Sequence, residues 1–293
     1  MPSRFVALLA FVGLSPTATL AQQDVRSATA TDGIEIRYEV HGWDKAGPAV
    51  MFVHGWSEDR SFWDAHARTF ATTNRVVTVD LPGFGESGGG RSTWSMEAYG
   101  QDVATVVDDL GLDDVVLVGF SMGAAVVLDA ALHKPDAVRG VVLVDWLQDP
   151  LRKYSTEFVS GLREATAATW RDTAGIRKAV FSPGTPDSLV LLALEKRPQQ
   201  VPQHWWSIAD AIFAWANERL VPTLRALQVP VAAINSDDVP TNVEAYRQYV
   251  PAFEVRYAPG LGHLGVIWEH TTRFDQQLKE LMQTFPRRER DGA

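Results

Sequence analysis

The chain contains no cysteine. That excludes disulfides, thiolate metal sites, a thiol nucleophile and a cysteine-borne lipid anchor, so bond-breaking chemistry here must use oxygen or imidazole. Cations are outnumbered as well: 27 Lys and Arg stand against 36 Asp and Glu, a formal net charge of −9, and nowhere do the basic residues cluster. Such a chain has no electrostatic footprint for nucleic acid. Beyond the first residues no apolar run approaches a membrane span, so no stable membrane insertion is expected. Metal-ligand spacings and internal repeats are missing too, and no metal site is expected. What is present is a chain of 293 residues, 46% hydrophobic. That is enough for one large domain carrying a sizeable insertion, and it excludes disorder.

Residues 1–21 read as an export signal. Arg4 supplies a short positive region, the stretch from Phe5 to Leu14 is apolar but too short to cross a bilayer, and Thr19-Leu20-Ala21 is a small-residue cleavage site. The protein is therefore expected to be exported, periplasmic or secreted.

From residue 22 onward strands alternate with helices. Residues 34–40 alternate apolar and polar side chains, as in a half-buried strand. The runs 50–53, 76–79, 115–118 and 141–144 are short, continuous and β-branched, as parallel strands covered on both faces should be. Helices are expected over 95–110, with Glu97 in the first turn and Gly111 at the stop, and over 122–133, ahead of Pro135. The pattern predicts an α/β fold with a mostly parallel central sheet and helices on both faces. From about residue 149 to 220 the strand signal disappears, and the segment is helical and rich in tryptophan. It reads as an inserted helical cap between a first core part, 22–148, and a second, 221–293. The alternation resumes there with strands over 229–234 and 253–257 and helices over 243–249 and 271–285. The tail, 287–293, is polar.

The chemistry gathers at strand ends. Residues 115–118 run into Gly119-Phe120-Ser121-Met122-Gly123 and then a helix, which is a G-x-S-x-G nucleophile elbow in its strand-turn-helix setting. A serine needs a base, and the base needs an orienting acid. His263 sits in the glycine-rich stretch Gly260-Leu261-Gly262-His263-Leu264-Gly265 after the last strand and is the expected base. In the order Ser, acid, His, the loop Asn235-Ser236-Asp237-Asp238 holds two carboxylates. Asp237 is the preferred acid, Asp238 the next, and Asp145, at the end of 141–144, the third. An oxyanion needs two donors. The N–H of Met122 is one, and the N–H of Trp56, after His54-Gly55, is the other. The His54 ring is read as a structural hydrogen-bonding group.

These residues resemble the α/β-hydrolase superfamily in its cap-bearing, serine-hydrolase branch, similar to carboxylesterases. His54-Gly55-Trp56 looks like the oxyanion motif, Asp80-Leu81-Pro82-Gly83-Phe84-Gly85-Glu86-Ser87 like the D-x-P-G-x-G-x-S loop, residues 119–123 like the elbow, and Gly262-His263 like the histidine loop. The resemblance implies the α/β-hydrolase fold, acyl transfer to water and no cofactor. One departure is Asn235, where the family usually has glycine. The stretch Gly83-Phe84-Gly85-Glu86-Ser87-Gly88 also matches a dinucleotide-binding pattern, but no helix is expected to open at Gly88, which speaks against it. Ser121 excludes the alkyl-ester chemistry of carboxylate-elbow relatives. The expected function is hydrolysis of a small apolar ester, with Phe120, Trp146, Trp205 and Trp206 lining the substrate site. Amide or iminopeptidase-type hydrolysis and carbon–carbon cleavage are the alternatives on the same residues, and a non-catalytic binding module is the alternative outside enzymes.

Overall fold

The computed structural model describes residues 24–286. The expected export segment and the polar tail lie outside the described residues. The chain runs β1 (Asp24–Thr29), β2 (Glu35–His41), β3 (Ala49–Val53), α1 (Asp64–Phe70), β4 (Val76–Val79), α2 (Met96–Asp109), β5 (Val115–Phe120), α3 (Met122–His133) and β6 (Val138–Val144). It continues through α4 (Thr156–Thr169), α5 (Thr173–Val180), α6 (Asp187–Glu195), α7 (Gln203–Glu218), α8 (Leu220–Ala226), β7 (Val231–Ser236), α9 (Val243–Arg247), β8 (Glu254–Ala258), α10 (Gly265–Trp268) and α11 (Thr271–Thr284).

Eight strands form one sheet in the order β1-β2-β4-β3-β5-β6-β7-β8. β3 to β8 are parallel, and β1 and β2 add an antiparallel edge. The apolar runs are continuous because both sheet faces are covered. In β3, Met51 and Val53 join the core on the α2 and α3 side, while Val50 and Phe52 join the core on the α1 and α11 side. β1 is absent from the sequence reading. Its residues, Asp-Val-Arg-Ser-Ala-Thr, are mostly polar, and the strand exists because β2 offers it a ladder, which is a tertiary cause.

Ser95 caps α2 by accepting from Ala98 N at 3.1 Å. The glycine-rich stretch before it forms no helix, so the dinucleotide reading fails on geometry. Five helices, α4 to α8, occupy the span between β6 and β7, and no strand interrupts them. Among the described residues no helix is long and apolar enough to cross a membrane.

The stretch leading into α2 is held by charge. Arg91 sets two guanidinium nitrogens on the carboxylate of buried Asp102, at 2.9 and 3.0 Å, and its Nε on Asp32 at 2.7 Å. Burial raises the Asp102 pKa despite this partner. Arg91→Met is expected to cost about 3–5 kcal/mol in urea unfolding, because it strands a buried carboxylate. The double variant Arg91→Met/Asp102→Leu should recover most of that loss. Equal stability of the Arg91 single variant and the parent protein would refute the role.

Candidate active site

The parallel register brings three strand ends side by side. Val53 of β3 pairs with Gly119 of β5, and Phe120 pairs with Val144 of β6. The residues that follow each strand, His54 to Trp56, Ser121 and Asp145, therefore share one edge. Ser121 N–H donates to the Val144 carbonyl at 2.9 Å, and Asp145 N–H to the Ile234 carbonyl at 3.0 Å.

Ser121 has φ 52° and ψ −122°, a backbone that L residues seldom adopt. The turn closes only because its flanks lack side chains. A β-carbon on Gly119 would stand 2.2 Å from the Gly123 carbonyl oxygen, and one on Gly123 would stand 2.5 Å from that of Val53. The other non-glycine residues with positive φ among the described residues are Ser57, Asp145 and Leu147. All four lie along this edge, where the packed sheet holds the strain in place. Met122 opens α3, so its amide has no helical acceptor.

His263, in the loop after β8, sets Nδ1 on Asp145 Oδ2 at 2.7 Å. The other carboxylate oxygen, Oδ1, accepts from Ser236 N at 2.6 Å, and the Asn235 side chain accepts from Asp145 N at 3.1 Å. Burial pushes the Asp145 pKa up, but the His263 contact and the Ser236 N–H outweigh it and hold the carboxyl below the ordinary value. Asp145 is thus an ionised, buried acid, 4% exposed, that fixes the imidazole so that Nε2 is free to work.

This corrects the expectation for the acid. β7 extends to Ser236, two residues beyond the predicted strand, so Asp237 falls past the sheet edge. There it is exposed and accepts from Gly260 N at 2.7 Å instead of holding His263. Asp238 is exposed as well. Asn235, the departure from the family pattern, serves Asp145. The signal that favours Asp145 is strand pairing, which a single sequence does not print.

The loop after β3 is held by a neutral imidazole. Leu81 N–H donates to His54 Nε2 at 3.0 Å, so the protonated nitrogen is Nδ1, which donates to the Gly55 carbonyl at 2.7 Å. Burial lowers the His54 pKa. That bond turns the carbonyl of the Gly55–Trp56 peptide away and leaves the Trp56 N–H pointing in the opposite sense. Among the described residues no group accepts from the Trp56 or Met122 amide.

A pocket of about 160 Å³ opens on Ser121. Trp56, Met122, Trp146, Trp206, Ile212 and Phe213 line it, with Val159, Leu162, Arg163 and Thr166 of α4 above. Of the four residues expected at the substrate site, Trp146 and Trp206 line this pocket, and Trp205 and Phe120 do not. Trp205 is buried, donates its Nε1–H to the Gly83 carbonyl at 2.9 Å and receives the Trp56 Nε1–H on its own carbonyl at 2.7 Å, which stitches α7 to the core. Neighbours on a helix point about a quarter-turn apart, so only one of the pair faces the cavity. Phe120 is fully buried in the α1 and α11 core, with its ring 4.6 Å from that of His263, and acts as a floor under the imidazole. Sequence reading missed Leu162 and Arg163 as lining residues. Among the described residues no cluster of potential ligands could hold a metal.

The model of the alpha/beta hydrolase fold family matches residues 48–269, from β3 through the histidine loop. The chain belongs to that family. It is similar to a non-heme haloperoxidase of Rhodococcus erythropolis, 29% identical over 80% of this chain and 91% of the relative. It is also similar to a bifunctional esterase/perhydrolase of Acinetobacter calcoaceticus, 27% identical over 72% of this chain and 80% of the relative. Among solved structures, a thermophilic esterase from Thermogutta terrifontis superposes with a TM-score of 0.70 at 25% identity, covering 90% of this chain and 98% of that one.

If Asp145 orients His263, Asp145→Asn should slow labelling of Ser121 by a fluorophosphonate by about a thousandfold, because an amide favours the wrong imidazole tautomer. Asp237→Asn should leave the rate within about twofold. The reverse ranking would restore Asp237 as the acid.

Proposed function

We propose that this protein is an exported serine hydrolase that cleaves carboxylic esters of small, largely apolar molecules through an acyl-enzyme on Ser121. One observation carries the reading. Ser121, on its strained turn, opens into an apolar pocket, and at the adjoining strand end buried Asp145 holds His263. The esterase and esterase/perhydrolase relatives support acyl chemistry at such a site. Export rests on Arg4, the apolar stretch after it and Thr19-Leu20-Ala21.

In this reading Ser121 Oγ attacks the ester carbonyl carbon while its proton passes to His263 Nε2. The imidazolium faces the Asp145 carboxylate. Charge arriving on the carbonyl oxygen meets the N–H groups of Trp56 and Met122. Collapse breaks the bond to the leaving alkoxide, which takes the proton from His263. Water then repeats the cycle, giving its proton to His263, and Ser121 recovers a proton as the acid leaves. No step calls for a cofactor.

Amide hydrolysis is the second reading, favoured by one feature. Asp210 lines the pocket and could meet a substrate amine, although Arg163 stands 3.7 Å from it. The first assay is hydrolysis of nitrophenyl acyl esters of increasing chain length, beside aminoacyl nitroanilides. Ester turnover that vanishes in Ser121→Ala is expected. Turnover of the anilides alone would replace the ester reading with the amide one. Trp206→Ala and Phe213→Ala should move the chain-length optimum upward by enlarging the pocket. Trp205→Ala should instead lower stability by about 3–5 kcal/mol, the usual cost of emptying a buried tryptophan site, with the chain-length profile unchanged.

A further inference from the structure

One buried acid takes no part in the steps above. Glu58, two residues beyond Trp56, is 8% exposed. Its Oε2 accepts from the Gly55 N–H at 2.8 Å. The adjoining peptide is held from its other side, where His54 Nδ1–H donates to the Gly55 carbonyl at 2.7 Å. Two consecutive peptides are therefore clamped, and the second carries the Trp56 N–H. The clamp sits close to the nucleophile. A β-carbon on Gly55 would meet Glu58 Oε2 and Ser121 Cβ at 2.9 Å each, and the Phe120 ring at 3.2 Å. Glu58 Oε2 and Ser121 Cβ therefore both border the Gly55 α-carbon.

The charges around Glu58 leave it without an ion pair among the described residues. Lys196 and Arg197, just past α6, and Asp59 beside it are the charged groups that act on it. Each cation is engaged elsewhere. Lys196 donates to Ser61 Oγ and lies over the Phe62 ring, while Arg197 donates to the Trp170 carbonyl and lies over its indole, 4.6 Å from the ring centre. Asp59 is occupied with Ser61.

We propose that Glu58 is a positioning residue for the oxyanion loop: as an uncharged carboxyl group it fixes the Gly55 amide and so presents the Trp56 N–H, and once ionised it places a negative charge beside the developing oxyanion. This rests on the reading of Ser121 as an acyl-enzyme nucleophile. Burial, the largest influence, pushes the Glu58 pKa up to about 8, against the weaker pull of the Gly55 N–H. The sign follows. Below that value the group is neutral and the oxyanion is stabilised by amides alone; above it, rate is lost as the carboxylate forms. A carboxamide keeps the hydrogen bond and cannot ionise.

The test compares wild type, Glu58→Gln and Glu58→Ala by kcat/KM on a nitrophenyl ester from pH 6 to 10. Wild type should lose about tenfold per pH unit above the break near pH 8. Glu58→Gln should match wild type within about threefold at pH 7 and lack the alkaline fall. Glu58→Ala should lose about ten- to a hundredfold in kcat with KM little changed, less than outright loss of an oxyanion donor. An alkaline limb shared by wild type and Glu58→Gln would overturn the proposal, as would wild-type kcat in Glu58→Ala. If Glu58→Ala does not fold, the Gln comparison decides alone. If wild type turns over no ester, the ester reading has failed, and the same comparison is made on the rate of fluorophosphonate labelling at Ser121. Labelling of wild type with no difference among the variants would sink the Glu58 role separately.

Discussion

The site depends on the hydrogen-bonded register among β3, β5 and β6, which places Val53, Gly119 and Leu143 in one row. Parallel ladders are unforgiving in this respect, because a slip by one residue exchanges the two faces of a strand and moves its end. With the row in place, the chain leaving β3 passes close by Ser121. The chain leaving β6 delivers Asp145 one strand away, within reach of a histidine that arrives from beyond β8. Two β-carbon prohibitions, at Gly119 and Gly123, let α3 start hard against that row and aim its free amides at the nucleophile.

Hydrogen bonds set the charge along this edge. His54 is neutral because it both accepts from Leu81 and donates to Gly55 inside the core. Asp145 stays ionised because two donors, His263 and the Ser236 N–H, meet its carboxylate, while the Asn235 side chain accepts from its backbone N–H. Burial pushes both Glu58 and Asp145 up; at Asp145 the His263 and Ser236 donors outweigh it, and at Glu58 the Gly55 N–H does not.

The helices α4 to α7 complete the site by covering it with apolar surface. Trp56, Trp170, Trp205 and Trp206 interlock with ring centres 5.6 to 6.1 Å apart, so these helices are anchored to the loop after β3. α4 is different. It contributes Val159, Leu162, Arg163 and Thr166 to the pocket yet buries none of its side chains, and Phe158 and Leu162 remain exposed. The wall most remote from the sheet is thus its least packed part, where motion costs least.

Much of this was legible in the chain of residues. Continuous β-branched runs announced strands covered on both faces, and G-x-S-x-G between a strand and a helix announced Ser121. A glycine-rich loop after the final strand announced His263, because these are local patterns whose physics is carried by neighbours in sequence. What a strand pairs with, where it ends and which side of a helix turns inward are settled by distant contacts. Hence β1 was invisible until β2 gave it a partner. Asp237 lost its expected place to Asp145 when β7 ran on to Ser236, and Trp206 reached the cavity while Trp205 was spent on fastening the cap. The sequence by itself determined the fold class and the elbow serine with its histidine, through periodicity and turn chemistry. Only the tertiary structure decided which carboxylate meets the histidine, the pocket wall and the hydrogen bonds that hold the loop after β3, because each of these depends on register, burial and contacts between residues far apart along the chain.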